Sequence, residues 1–336
     1  MPLKKIGQQT WALGSEVHVL SSAAVVGPKE GKGLLKDDYD VVYPDLYAGQ
    51  DTWERAERKM MEDAVDFAIH KSGVDRRDIE LYIAGDLLNQ NITASFSART
   101  NQLPFIGVFG ACSTSMQSVT LAAALIDGGF IDRALVAVSS HNATAEKQFR
   151  YPTEYGSQRP ATSGWTTTGA GAAVLGEGKI GPRVTYCTVG KVVDWGIQNP
   201  DDLGSAMAPA AVDTIVTHFS DTGRTPDDYD LVVTGDLRVS GFNIAKGLLR
   251  QKKIAVDERF QDCGLMIYSP EQKDYGGGSG CASSAVVTFG HLFRQMARGK
   301  YRRILVVATG ALYNAVTWRQ GESIPCIAHA VSFEMG

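Results

Sequence analysis

The chain repeats its own sequence pattern, and this internal duplication restricts the folds that it can adopt. Residues 110–140 match residues 279–310. Cys112 aligns with Cys281 at a shift of 169 (281 − 112), and Arg133 aligns with Arg302 at the same shift with no gap between. Each copy contains a turn of small residues, an apolar helix, a short basic linker and an apolar strand. A repeat of this length is a duplicated domain rather than a solenoid unit.

A second match lies upstream of the first in each half. Residues 78–91 (DIELYIAGDLLNQN) resemble residues 228–241 (DYDLVVTGDLRVSG), and Asp86 aligns with Asp236 at a shift of 150 (236 − 86). Each copy follows a helix, a glycine stop and an acidic turn, and then forms a buried strand. Because the two shifts differ by 19 (169 − 150), the second half carries an insertion between its two matches.

The order of these elements predicts two α/β halves with mixed sheets. Strands and helices alternate and the strands are continuously apolar, so each half is expected to hold a buried sheet covered by helices. The two helices of the first match (STSMQSVTLAAALI and ASSAVVTFGHLF) are small and apolar on all sides, as a fully buried helix must be. We therefore predict duplicated halves over residues 1–180 and 181–336 around two central buried helices, with a cap loop at about residues 141–165.

The bulk composition excludes several classes of protein. The 336 residues are 44% apolar and 21% charged, and the net charge of −4 gives no electrostatic reason to expect nucleic acid as a partner. No run of about 18 apolar residues is present, so no membrane span is predicted. The N-terminus (MPLKKIGQQTW) lacks the apolar region of a secretory signal. The five cysteines show no CxxC spacing, which argues against a disulfide framework or a zinc site.

The duplicated helix starts resemble those of a known superfamily. Cys112 lies on a tight turn before a buried helix, and a glycine-rich turn (YGGGSG, residues 275–280) precedes the partner helix. Together with the duplicated α/β halves, this arrangement resembles the thiolase superfamily, which holds the thiolases and ketoacyl synthases. The resemblance implies a five-layer αβαβα fold with a pocket at Cys112.

Longer strings give a closer resemblance. The segments AGDLLNQN, FGACSTSM, QDCGLMIYSP and ESIPCIAHA, which cover both halves, resemble the stage V sporulation protein AD family of spore-forming bacteria. The resemblance implies a protein that binds dipicolinic acid (pyridine-2,6-dicarboxylic acid) and helps to move it into the developing spore. It further implies a homodimer without a cofactor of its own. It would be attached peripherally to the spore inner (forespore) membrane through the other membrane subunits of the complex.

The catalytic groups of the superfamily are incomplete in this chain. The N-terminus of a helix favours a thiolate at Cys112, but catalysis also needs a base. Against the thiolase pattern, Gly277 stands where the histidine of a Gly-His-Pro turn would be. Against the synthase pattern, Asp236 stands at the level of the strand-end histidine, and Cys326 matches a second thiolase cysteine without its following glycines. A missing acid–base group costs roughly 10²–10⁴ in rate, so we predict a catalytically lapsed site.

Two other functions stay open at this point. His329 is the one imidazole that we predict to reach Cys112 from the second half, although a hydrogen-bonded core histidine is an equal interpretation. With His329 or Asp236 as base, the chain would be a Cys112-dependent acyltransferase or thioesterase acting on acyl thioesters. A purely structural subunit with a vestigial pocket is the third interpretation.

Polar residues at strand ends supply the candidate ligand contacts, because ligands bind beyond the carboxyl ends of strands in α/β sheets. Helix capping is the alternative role for the acidic residues, and loop surface is the alternative for the others. The candidate set is Asp86, Asn89, Cys112, His141, Asn142, Arg150, Asp236, Ser279 and His329.

The charge of the implied ligand raises a conflict at Asp86. An ionised Asp86 would repel the two carboxylates of dipicolinate. Either helix N-termini hold the ligand while the pKa of Asp86 rises, or Ca²⁺ carried with the ligand bridges it to Asp86 through hard oxygens.

Overall fold

Strands and helices alternate along both halves of the chain. The computed structural model describes residues 4–149, 160–255, 257–272 and 276–336. The strands are β1 (Lys5–Ile6), β2 (Thr10–Ala12), β3 (Val17–Val26), β4 (Val41–Val42), β5 (Leu81–Asp86), β6 (Phe105–Gly107), β7 (Arg133–Ser140), β8 (Trp165–Thr166), β9 (Gly169–Glu177), β10 (Arg183–Thr188), β11 (Leu231–Thr234), β12 (Phe260–Asp262), β13 (Gly278–Ser279), β14 (Arg303–Ala311) and β15 (Cys326–Glu334).

The helices follow the same alternation. They are α1 (Trp53–Ser72), α2 (Ile92–Asn101), α3 (Thr114–Asp127), α4 (Asn142–Phe149), α5 (Leu203–Thr222), α6 (Arg238–Gln251), α7 (Cys263–Ile267), α8 (Cys281–Val286), α9 (Phe293–Ala297) and α10 (Ala315–Arg319). Short 3₁₀ turns cover Glu30–Lys32, Lys36–Asp38, Arg76–Asp78, Asn89–Asn91, Pro226–Asp228 and Pro270–Gln272. Among the described residues, no helix combines the length and the apolar character needed to cross a membrane.

Two groups of five strands carry the same topology. In the first half the order is β3-β9-β7-β5-β6, and in the second it is β10-β15-β14-β11-β12. In both, the first two pairings are antiparallel and the last two are parallel. The two groups join through β3 and β10, and the predicted boundary at residue 180 falls in the turn between β9 and β10. The sheets are therefore mixed in both halves, as the duplicated sequence pattern predicts.

The central helices α3 and α8 lie on the axis that relates the two halves. The hydroxyl oxygens of Ser115 and Ser284 are 2.6 Å apart, and their numbers differ by the repeat shift of 169. Small buried residues such as Ala122 and Ala285 let these helices pack closely. After α8, a wide π-type turn at Val287–Leu292 leads into α9. The structure confirms the two predicted central helices.

The outer helices α1 and α5 begin and end in the same way in the two halves. Thr52 caps the start of α1 by accepting a hydrogen bond from a backbone N–H, and Asp202 does so for α5, 150 residues later. Gly73 and Gly223, again 150 residues apart, end these helices in the left-handed conformation with φ of 67° and 69°. The duplication therefore includes the local signals that set helix length.

Buried apolar side chains form three clusters, which separate five layers. One cluster surrounds the central helices between the sheets, and a second lies between the C-terminal sheet and α5 and α6. The third lies between the N-terminal sheet and α1 and α2. This arrangement is the predicted αβαβα sandwich, and it places the N-terminus of α3 beside the carboxyl ends of strands from both halves.

Candidate functional site

Cys112 lies on a sharp turn that leads into α3. Ala111, just before it, has a φ of 49°, a left-handed conformation that a side chain with a Cβ adopts at a cost of roughly 1–2 kcal/mol. The turn is held by the hydroxyl of Ser113, which donates to the carbonyl of Gly110 at 2.6 Å. The hydroxyl of Thr114 donates to the carbonyl of Ala111 at 2.6 Å. This turn fixes the position of the thiol at the start of the helix.

A cavity of about 370 Å³ opens over Cys112, at the lower end of the usual range for small-molecule pockets, about 300–1,000 Å³. Its inner wall includes the buried residues Cys112 and Arg238 together with the half-buried Ser279. Its outer wall includes Phe109, whose side chain is 48% exposed, and the exposed Arg319. Both halves of the chain thus contribute to one pocket.

Asp236 lies behind Cys112, close enough for its charge to act on the thiol. Its carboxylate accepts hydrogen bonds from the backbone N–H of Gly280 at 2.9 Å and from the hydroxyl of Thr309 at 2.9 Å. Ser279 adds a longer contact at 3.4 Å. Burial, and then the negative charge of Asp236, raises the pKa of Cys112 well above its usual range. The sulfur at this position is therefore a neutral thiol, which is a weak nucleophile.

Arg238 is a buried residue of the cavity wall that was not among the candidates predicted from the sequence. It is 3% exposed, has a φ of 59°, and donates from Nη1 to the carbonyl of Thr162 at 3.1 Å. Among the described residues, its Nε and Nη2 have no hydrogen-bond partner. Burial lowers its pKa while the charge of Asp236 opposes that change, and an arginine stays protonated in proteins. The internal repeat contained a signal for Arg238, because the equivalent residue of the first half is the apolar Leu88 (238 − 150).

Aromatic side chains form the mouth of the cavity. Phe149 meets Tyr313 edge to face with ring centroids 6.2 Å apart, and Tyr313 lies 6.3 Å from Trp318. The indole N–H of Trp318 donates to the carbonyl of Gln198 at 2.7 Å, which fixes α10 on the neighbouring loop. These three rings all line the pocket, and they give it flat apolar walls.

Asp86 does not reach the cavity, and its predicted ligand role is corrected here. Its two carboxylate oxygens accept hydrogen bonds from the backbone N–H groups of Leu88 at 2.9 Å and Ala94 at 2.8 Å. It is fully buried, and burial raises its pKa to about 6. One oxygen anchors the first turn of α2 and the other holds the loop at Leu88, so the carboxylate is buried against the backbone rather than open to a Ca²⁺ in the cavity. The capping alternative is the one that the geometry favours.

His141 is also held by structural hydrogen bonds rather than by the pocket. Its Nε2 donates to the carbonyl of Leu46 at 2.8 Å, and its Nδ1 accepts from the backbone N–H of Ala143 at 3.1 Å. Burial lowers the pKa of the ring, so the imidazole is neutral. It is absent from the described residues that line the cavity.

The asparagines of the predicted set lie outside the pocket as well. Asn89 is exposed, and its backbone N–H donates to Oε1 of Gln148 at 3.1 Å. Asn142 starts α4, and its backbone N–H donates to the hydroxyl of Thr168 at 2.9 Å. The described lining residues include neither asparagine. Arg150 and residues 151–159 of the predicted cap loop lie outside the described residues.

The structure does not bring His329 to Cys112 as a base. His329 lies on β15 opposite Ala308, and its Nδ1 accepts from the backbone N–H of Gly190 at 3.3 Å. Burial lowers the pKa of this ring to about 4. It is not part of the described cavity wall. The core-histidine alternative fits these contacts, and Asp236 is the titratable group beside the thiol.

Solved structures of similar architecture are thiolase-fold enzymes. OleA of Xanthomonas campestris (the E117Q variant) superposes with a TM-score of 0.62 over 96% of this chain and 99% of its own, at 16% identity. The 3-oxoacyl-[acyl-carrier-protein] synthase III of Aquifex aeolicus VF5 gives 0.60 over 95% and 99%, at 15% identity. At such low identity the likeness concerns the fold, which is thiolase-like.

Sequence comparison identifies a family that fits this fold. The family model of Stage V sporulation protein AD (SpoVAD) matches residues 7–334. Stage V sporulation protein AD of Bacillus subtilis (strain 168) is 52% identical over 332 residues, which is 99% of this chain and 98% of that protein. The chain belongs to the stage V sporulation protein AD family.

Proposed function

We propose that this chain binds dipicolinic acid in the cavity over Cys112, without catalysis, and serves its uptake into the developing spore. The observation that carries the proposal is Arg238, a buried cation on the cavity wall whose Nε and Nη2 have no hydrogen-bond partner within the described part of the chain. An anion with paired oxygen acceptors fits these nitrogen atoms.

The chemistry of Arg238 selects a carboxylate. The planar fork of a guanidinium matches the two oxygens of a carboxylate, and charge-assisted bonds of this kind are stronger than neutral ones. A buried donor without a partner costs about 1–3 kcal/mol, which a bound carboxylate removes. The aromatic rings at the mouth, Phe149, Tyr313 and Trp318, suit the flat pyridine ring of dipicolinate.

The state of Cys112 supports binding over turnover. Its thiol is held neutral beside Asp236, so the nucleophile of a thiolase is not activated here. The alternative is a Cys112-dependent acyltransferase or thioesterase, and the sharp turn at Ala111 is the observation that favours it. Incubation with an acyl-coenzyme A followed by intact-mass spectrometry separates the two, because only the enzyme forms an acyl adduct that Cys112→Ala removes.

Membership of the family supports the wider setting that we propose. The chain would act as a homodimer with the other, membrane-embedded SpoVA-type subunits, which hold it at the spore inner membrane. Dipicolinate chelates Ca²⁺ through its own oxygen and nitrogen atoms, so Ca²⁺ would arrive with the ligand rather than sit on Asp86. Co-purification from sporulating cells with the membrane subunits is the direct test of that assembly.

Calorimetric titration of dipicolinate tests the binding proposal. We expect saturable binding to the wild-type protein, and a loss of roughly tenfold or more in affinity for Arg238→Met, because a charge-assisted bond contributes about 1.5–3 kcal/mol. Arg250→Met is the matched control, since Arg250 is exposed at the far end of the same helix. Titrations with and without Ca²⁺ show which form of the ligand is bound.

Two outcomes would contradict the proposal. A wild-type protein that shows no saturable heat with dipicolinate at two well-separated temperatures, with or without Ca²⁺, has no such site. Equal affinities of the wild type and Arg238→Met would place the ligand elsewhere.

A further inference from the structure

The geometry points to Arg319 as the residue that makes this site selective for a dicarboxylate, by holding the second carboxylate at the mouth of the cavity. This inference rests on the proposed function and concerns the same pocket. Arg238 holds an anion at the inner end, and Arg319 lines the outer end of the same wall. A flat ligand with one carboxylate at each end would meet a cation at both.

The position of Arg319 is fixed by its helix. It is the last residue of α10, whose N-cap is Asn314, with the side-chain Oδ1 accepting from the N–H of Val316 at 2.8 Å. The adjacent Trp318 is anchored to the carbonyl of Gln198. Burial raises the pKa of the Tyr313 hydroxyl, and the positive charge of Arg319 acts on the same hydroxyl in the opposite direction. The guanidinium is therefore close enough to the aromatic wall to act on it, although the side chain is exposed.

The internal repeat gives independent support. At the shift of 169, Trp318 corresponds to Phe149 and Arg319 corresponds to Arg150. Phe149 and Trp318 both line the cavity, so each half contributes an aromatic ring to the mouth from the same place in its sequence. An aromatic residue followed by arginine is thus retained in both halves, although the surrounding residues differ.

The acidic residues near the mouth sharpen the argument. Glu146 and Asp201 also line the cavity, and each of them is engaged with a neighbouring group. Their negative charges oppose an incoming anion. A ligand carboxylate at this end therefore needs a cation that compensates for them, and Arg319 is a lining residue that supplies it.

The test compares two ligands on three proteins by calorimetry. Dipicolinate carries two carboxylates, and picolinate (pyridine-2-carboxylate) carries one. Arg319→Gln removes the outer cation, and Arg302→Gln is the matched control because it makes the same charge change before the start of β14, roughly 30 Å from the site at about 3.3 Å per strand residue. Arg238→Met serves as the variant that lacks the inner cation.

The pattern of affinities decides the matter. We expect the wild type to prefer dipicolinate, and Arg319→Gln to lose about two- to fivefold in dipicolinate affinity while its picolinate affinity is unchanged, because solvent weakens the ion pairs of an exposed arginine. Arg238→Met should weaken both ligands, and Arg302→Gln neither. If Arg319→Gln leaves dipicolinate affinity intact, or weakens both ligands equally, Arg319 is not the second contact although the binding site stands. If the wild type binds neither ligand, the proposed function and this inference both fall.

Discussion

Glu57 lies buried beneath the site, and replacing it with glutamine should change how stability depends on pH. Its carboxylate accepts hydrogen bonds from the hydroxyls of Ser139 at 2.9 Å and Thr144 at 2.8 Å. Burial, and then the charge of Asp86, raises its pKa from 4.5 to about 8. Because the folded state binds this proton more tightly, the stabilisation is complete below pH 4.5 and is lost as the pH rises through 8.

The size of the effect follows from that pKa window. One pH unit inside the window is worth about 1.4 kcal/mol. Relative to the unfolded chain, in which Glu57 is ionised, keeping Glu57 protonated in the folded state costs about 1.4 kcal/mol at pH 5.5 and about 4 kcal/mol at pH 7.5. Glu57→Gln carries no such cost because a glutamine side chain does not bind or release a proton in this pH range. Its amide can still donate to one hydroxyl and accept from the other. Between these two pH values, the free energy of unfolding of the wild type should therefore fall by about 2.5 kcal/mol relative to Glu57→Gln.

Urea unfolding followed by tryptophan fluorescence measures this difference at both pH values. Asp66→Asn is the control, because Asp66 lies on the same helix with a side chain that is 60% exposed. That variant should keep the pH dependence of the wild type. Parallel pH profiles for the wild type and Glu57→Gln would refute the reasoning, because they would mean that Glu57 titrates alike in the folded and unfolded chains.

Two further predictions concern the turn at Cys112 and its thiol. Gly310→Ala should lower the free energy of unfolding by about 1–3 kcal/mol, because a Cβ there would lie 2.2 Å from the carbonyl oxygen of Gly110. Gly247→Ala is the control, because Gly247 lies on α6 with open space around it. This variant should raise the free energy of unfolding by up to about 1 kcal/mol in the same urea assay. All five cysteines are buried, so iodoacetamide at neutral pH should label none of them in the folded protein and all five after unfolding. A single rapid adduct on folded protein that Cys112→Ala abolishes would instead indicate an activated thiol.

The internal repeat accounts for what could be predicted of the fold. Matched segments of residues 110–140 and 279–310 indicated the strands, the two buried helices and the meeting of both halves at Cys112. These features depend on hydrophobic periodicity and on the positions of small residues, and both can be read from short stretches of sequence. The equal strand orders of the two sheets follow from the same repeat.

The polar contacts of the site could not be predicted in this way. Asp86 and His141 were predicted because they follow strand ends, and His329 because it could reach Cys112 from the second half. In the structure, each of the three side chains forms a hydrogen bond with a nearby backbone group. Which donor or acceptor takes a buried side chain depends on distances that periodicity does not give. Arg238 was missed for the same reason, because an arginine is usually exposed and its burial appears only once Thr162 and the start of α6 are in place.

The two halves offer the same backbone positions, and a single pocket forms between them because the side chains at equivalent positions differ. Asp86 anchors a helix, whereas its counterpart Asp236 lies beside the thiol and accepts hydrogen bonds from Gly280 and Thr309. Leu88 is replaced by Arg238, which turns an apolar contact into a buried cation. Cys281, the counterpart of the site cysteine, donates its S–H to the carbonyl of Ala111 at 3.0 Å and so helps to hold the turn. Differences at these few positions give the two halves different parts in one pocket without changing the fold.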